Sequence, residues 1–83
     1  METKVGKVTH YFGKIMVCAL SLQGEIKVGD TLRFTGKSTE LTQTITSMQI
    51  DKQAVESAKP GEDVAIKVNE PVRVGDLVYK VAE

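Results

Sequence analysis

Cysteine occurs once, at Cys18. A lone cysteine forms no internal disulfide, and no Cys or His stands near it at metal-ligand spacing, which fits a reducing compartment. The surrounding run IMVCAL supplies neither a base nor a positive charge, so Cys18 reads as a small core residue rather than a reactive thiol. Tryptophan is absent, and the aromatics are Tyr11, Phe12, Phe34 and Tyr79. Barrels that bind single strands stack bases on exposed rings, so this scarcity argues against such a binder. No apolar run approaches membrane-spanning length, and the start METKVGKVTH has no signal-like apolar stretch. The expectation is a cytoplasmic chain. Net charge is absent too: eleven basic residues cancel eleven acidic ones. A neutral domain is not a strong polyanion binder, because that affinity comes from many phosphate contacts. The halves do differ. Residues 1–37 carry six basic and three acidic residues, against five and eight over residues 38–83.

Catalytic constellations are missing as well. No paired carboxylates, serine with a base, or metal-ligand cluster is visible. No phosphate loop of the G-x-x-x-x-G-K-[ST] kind is present, which excludes a GTP site of that type. The expectation is a protein that is not an enzyme, with no cofactor and no metal. His10 is the one histidine. It lies between Val8 and Phe12 in an alternating segment and reads as a semi-buried structural residue.

What is present is a β pattern along nearly the whole length. VGKVTHYF (5–12) is rich in β-branched and aromatic residues. Strict alternation puts Val8, His10 and Phe12 on one face and Lys7, Thr9 and Tyr11 on the other. Gly13-Lys14 turns the chain, and KIMVCALSL (14–22) is a continuous apolar run with both faces covered. TLRFTG (31–36) alternates, with Leu32 and Phe34 inward. LTQTITSMQI (41–50) reads as one longer strand whose parity changes near Ser47, a bulge signal. DKQAVESAKPGED (51–63) is stopped by Lys59-Pro60-Gly61 and reads as a loop with a turn of 3₁₀ structure. DVAIKV (63–68) sets Val64, Ile66 and Val68 inward, and DLVYKV (76–81) closes the chain. Six to seven short strands separated by turn signals predict an all-β fold: a small closed antiparallel β-barrel, one domain over residues 1–83.

One phrase occurs twice. Lys27-Val28-Gly29-Asp30 and Arg73-Val74-Gly75-Asp76 both precede a short apolar run. Gly supplies positive φ, and Asp bonds nearby backbone N–H groups. Each phrase reads as a turn that launches a strand, with Val28 and Val74 plugging the core. A ligand loop is disfavoured: one Asp per turn is too few oxygens for a cation, and these glycines feed strands rather than helix N-termini.

The order of these phrases resembles the second domain of translational GTPases of the elongation factor Tu type. The residues that carry the resemblance are Gly24 to Asp30, Ser47-Met48-Gln49, Ala58 to Val64 and Gly75-Asp76-Leu77, within residues 5–81. The resemblance implies the same β-barrel and a translation elongation factor-like protein. It also implies a non-catalytic, translation-factor-like binding module that contacts RNA, tRNA or a ribonucleoprotein, without GTPase activity. The switch and guanine-reading motifs of that family are absent, and its Gly-rich first hairpin is replaced by Phe12 to Ala19. Stand-alone barrels of this kind also resemble C-terminal appendages of collagenase-like peptidase family proteins. That keeps a second reading: a protein-interaction module docking on a larger enzyme. For either partner the expected surface is the basic hairpin, made of Lys7, Tyr11, Lys14 and Arg33. The Thr42, Thr44 and Thr46 row reads as a solvent-facing strand edge.

Overall fold

The computed structural model describes residues 2–81. Five bulge-free ladders and two bulged ones organise most of the chain. β1 (Glu2–Phe12) lies at the centre, between β2 (Val17–Leu22) and β10 (Leu77–Val81). Beyond β10 come β4 (Thr31–Thr35) and β5 (Glu40–Thr44). Beyond β2 come β9 (Asp63–Lys67), β6 (Met48–Ile50) and β7 (Gln53–Val55). The resulting eight-stranded sheet runs β5-β4-β10-β1-β2-β9-β6-β7, with every neighbour antiparallel. A separate two-stranded ladder joins β3 (Ile26–Lys27) to β8 (Ser57–Ala58).

The all-β expectation holds, but a closed barrel does not. Among the described residues no backbone ladder joins the outer strands β5 and β7. The curved sheet is tied instead by a side chain. Gln43, buried on the inner face of β5, donates through Nε2 to the Lys67 carbonyl at 2.9 Å and accepts at Oε1 from the Asn69 N–H at 2.7 Å. Its amide does what a peptide group would do in a ladder, using one donor and one acceptor.

Two further departures have local causes. Residues 41–50 form two strands: after β5 the chain crosses at residues 45–47 and resumes as β6 on the far side of the sheet. The expected loop at 51–63 contains β7 and β8. Asp51 (φ 51°) and Lys52 (φ 66°) form a two-residue hairpin turn between β6 and β7. Positive φ at both central positions is the type I′ requirement, and neither residue is the Gly or Asn that usually signals it.

The repeated phrase is a turn, and there are three of them. In Lys27–Asp30, Lys59–Glu62 and Arg73–Asp76, the third residue is a glycine at φ 100°, 90° and 96°. The fourth residue donates its N–H to the carbonyl of the first, at 3.0, 3.1 and 3.0 Å. This is the type II pattern, which calls for Gly at the third position. The acidic side chain reciprocates by accepting the first residue's N–H: Asp30 from Lys27 at 3.0 Å, Glu62 from Lys59 at 2.7 Å, Asp76 from Arg73 at 2.8 Å. Each turn then docks on a neighbouring strand one residue past the ladder. The Gly N–H donates to the carbonyl of Ile45, Leu22 or Val8, and that residue's N–H donates back to the carbonyl of Asp30, Glu62 or Asp76. The next residue opens β4, β9 or β10.

This geometry moves the core contacts. Val28 and Val74 stand second in their turns, point outward and are 40% and 65% exposed, so they do not plug the core. The buried residues are those just before each turn: Ile26, Ala58 and Val72. They join Leu20, Leu32, Phe34, Ile45, Met48, Ile66 and Val78 in one apolar cluster. Each fully buried Leu, Ile, Phe or Met contributes about 1.5–3 kcal/mol relative to exposure.

Candidate interaction surface

The first hairpin is shaped by two bulges in β1. Register shifts fall between Lys4 and Gly6 against β10, and between Val8 and His10 against β2. A bulge places two residues opposite one and reverses the parity of everything beyond it. Val5 and Val8 therefore both face the core. After Thr9 the inward residue is Tyr11, partly buried against the core, and His10 and Phe12 turn to solvent. The even-face placement of His10 and Phe12 with Val8 is thus corrected: His10 is exposed and Phe12 is 51% exposed. Their rings stack with centroids 6.3 Å apart and planes inclined by 26°.

Beyond Phe12 the chain turns through residues 13–16, with the Ile15 N–H on the Phe12 carbonyl at 3.3 Å and Met16 in the left-handed region at φ 54°. The Tyr11 hydroxyl donates to Met16 Sδ at 3.2 Å, and the Met16 carbonyl accepts from the Val68 N–H at 2.8 Å. Ile15 stands at the tip, 62% exposed. From there the outer face of the sheet runs in rows set by the registers. Phe12 lies across from Val17 and then Lys67; His10 from Ala19, Ala65 and Gln49; Lys7 from Ser21 and Asp63. The middle of this face is low, because Ala19 and Ala65 are small. A hollow of about 160 Å³ opens beside it, between Val17, Ser47, Gln49, Ala65 and Lys67.

The four residues expected to form one surface are divided. Lys7 sits on the outer face of β1 and Lys14 at the hairpin tip, both exposed. Tyr11 belongs to the same hairpin but faces inward. Arg33 stands apart, across from Tyr79 and Lys4 near the start of β1. Its guanidinium contacts Glu2 at 2.7 Å and grips Glu40 through Nε (2.7 Å) and Nη2 (3.5 Å). Hydrogen bonds donated to Glu40 and Glu2 push Arg33 well above its ordinary pKa, and Arg33 in turn holds the Glu40 carboxyl below its own. Arg33 laces three strands together at the opposite end from Lys14. Sequence reasoning missed Ile15, which read as part of a covered apolar strand, and placed Phe12 in the core. The missed signal was the bulge.

The Cys18 thiol is buried, and that burial pushes its pKa up to about 12. No group of three or more His, Cys, Asp or Glu able to hold a metal occurs among the described residues, and no helix there is long and apolar enough to cross a membrane. Open grooves of about 600 and 550 Å³ are lined by Lys27, Val28, Met48 and Glu56, and by Tyr11, Glu40, Glu70 and Arg73. Neither contains a histidine or a cysteine.

No family model matches the chain. Over 83 residues it is 40% identical to an uncharacterized protease of Methanocaldococcus jannaschii, covering 99% of this chain and 20% of that protein. It is 33% identical over 81 residues to a collagenase of Porphyromonas gingivalis, covering 95% of this chain and 22% of that protein. The chain therefore spans about one fifth of the length of these curated relatives. Two solved structures share the fold, both of the C-terminal domain of a putative U32 peptidase from Geobacillus thermoleovorans. One aligns at a TM-score of 0.89 and 21% identity, covering 95% of this chain and 92% of that one. The other, a selenomethionine variant, aligns at 0.87 and 20% identity, covering 92% and 96%.

These relatives overturn the resemblance to translation factors: they are proteases by name, and their solved counterparts are peptidase domains. The expected contact with RNA, tRNA or a ribonucleoprotein falls with it. The physical reason lies in the residues that carried the resemblance. Gly24 to Asp30 and Ala58 to Val64 each contain a type II turn, and Gly75-Asp76-Leu77 holds the end of the third. They report how strands are launched, which any fold of this construction needs whatever it binds.

Proposed function

We propose that the chain is a non-catalytic docking module of a larger collagenase-like peptidase unit. The observation that carries this reading is one of proportion. Nearly the whole chain matches about one fifth of proteins named as a protease and a collagenase, and the chain shares its fold with a peptidase domain solved by itself. The reactive groups support a binding role. Cys18 is buried with its thiol held protonated, and a thiol nucleophile needs a thiolate within reach of substrate. Exposed His10 stacks on Phe12; a general base needs an orienting partner as well.

The test is isolation of the tagged chain from cells that also contain a collagenase-like relative, after nuclease treatment and in high salt. The expected result is stoichiometric recovery of a peptidase-like polypeptide, identified by mass spectrometry. Recovery of the chain alone, or with unrelated proteins in variable amounts, would overturn the proposal.

A further inference from the structure

We infer that the module grips this larger unit through the tip and outer face of its first hairpin, with Phe12 and Ile15 entering an apolar recess edged by carboxylates. This rests on the docking reading above and names its surface and the chemistry of its partner.

The large apolar side chains that stand exposed among the described residues are Phe12, Ile15, Val28 and Val74. Two of them have a local explanation. Val28 and Val74 hold the second position of type II turns, where the backbone points the side chain outward. Phe12 and Ile15 are not part of such a turn. Phe12 faces solvent because the bulge at Thr9 turns it there, and Ile15 caps a four-residue turn that polar residues fill with less loss of hydration. A neighbouring pair of exposed Phe and Ile is an anchor of the kind that dominates interface energies, large and apolar.

The anchor is also held in place beforehand. Phe12 is paired with Val17 of β2, the turn beyond it is held by the Ile15 N–H on the Phe12 carbonyl and the Val68 N–H on the Met16 carbonyl, and the Phe12 ring stacks on His10. Little freedom remains for a partner to remove, which favours binding. Beside it, Val17, Ala19 and Ala65 form a low floor able to admit an opposing element.

On the outer face the charge around the anchor is mainly basic, while Glu40 and Glu70 line the groove on the Tyr11 side of the hairpin. Between Glu2 and Glu25 the chain carries no carboxylate, and Lys7 and Lys14 stand on this face and at its tip. Lys67 joins them from β9 at the Phe12 row. Asp63 is the acidic residue on these rows, and it lies at the base, across from Ser21 in the Lys7 row. Complementarity therefore favours a partner surface with acidic residues around an apolar pocket. In this arrangement Lys14 and Lys67 steer and orient, and the two apolar side chains supply most of the affinity.

Photo-reactive residues placed at Phe12, Ile15 and, as a control on the far strand, Thr42 test this in the tagged chain. Crosslinks from positions 12 and 15 to the peptidase-like polypeptide, with none from 42, are expected. Titration of the recovered polypeptide against the double variant Phe12→Ser, Ile15→Ser should show affinity at least about tenfold weaker. Lys14→Glu should lower the association rate and its salt dependence. Thermal unfolding of the double variant should match the parent, because both side chains are exposed. If the parent binds and the double variant binds equally well, or if the crosslinks come from 42 alone, the surface assignment fails and docking stands. If the parent recovers no peptidase-like polypeptide, the docking reading itself fails. Association abolished by nuclease would overturn a protein partner.

Discussion

Cys18 shows how a residue's surroundings decide its chemistry. Its side chain faces the core, among apolar neighbours contributed by β2 and β9. The buried neutral thiol was legible in the sequence, because an apolar run without a basic neighbour offers nothing to stabilise a thiolate. The pH dependence follows from the direction of the shift. An unfolded thiol titrates near ~8.5, whereas burial in the fold raises Cys18 to about 12. Between those values the folded chain holds a proton that the unfolded chain releases, so stability falls as pH rises. The slope from this group is at most about 1.4 kcal/mol per pH unit. Urea midpoints measured from pH 8 to pH 10 should therefore drop, and Cys18→Ala should remove this component of the drop. The same burial predicts that disulfide reagents modify Cys18 only as fast as the fold opens.

Elements were legible wherever alternation ran undisturbed. β4 and β9 fall where Leu32 and Phe34, and Val64, Ile66 and Val68, alternate inward, and all five side chains are buried. β1 was misread beyond Thr9, since a bulge inserts one residue without any composition signal and inverts the faces of His10, Tyr11 and Phe12. The hairpin of β6 and β7 was hidden because Asp51-Lys52 adopts a turn usually marked by Asn-Gly. The third type II turn was hidden by its Pro and Glu, although Lys59-Pro60-Gly61-Glu62 places its groups as the two Val-Gly-Asp turns do. That equivalence yields a paired expectation. Pro60 occupies the second position, so proline is compatible with the turn's backbone there. Val74→Pro should stabilise the protein by about 0.4–1 kcal/mol by restricting the unfolded chain. Val28→Pro should not, because the Val28 N–H donates to the Glu56 carbonyl at 2.8 Å and proline removes that donor. Chemical denaturation of the two variants side by side distinguishes them; equal effects would refute the equivalence of the turns.

At the scale of the whole molecule, the sequence conveyed an antiparallel β fold but not how its ends meet. A seam made by one glutamine leaves no periodic trace, and Gln43 sits among the Thr row as if it were another surface residue. Gln43→Leu keeps the volume but leaves the Lys67 carbonyl and the Asn69 N–H without their partner. A loss of about 1–3 kcal/mol is expected, together with faster hydrogen exchange at Asn69 than at β1. Of the residues expected to share one surface, Lys7 and Lys14 lie on the hairpin face proposed for docking, whereas Arg33 is occupied by Glu2 and Glu40. The three turns carry a further consequence. Each occupies backbone groups of Val8, Leu22 or Ile45 at the point where a ladder stops, groups that another chain's strand would otherwise recruit. Their acidic side chains sit at those same places. The turns thus guard against self-association as well as launching strands. Replacing Gly61 by Ala, an unfavourable residue at φ 90°, should raise light scattering in concentrated solution at temperatures where circular dichroism still reports a folded protein.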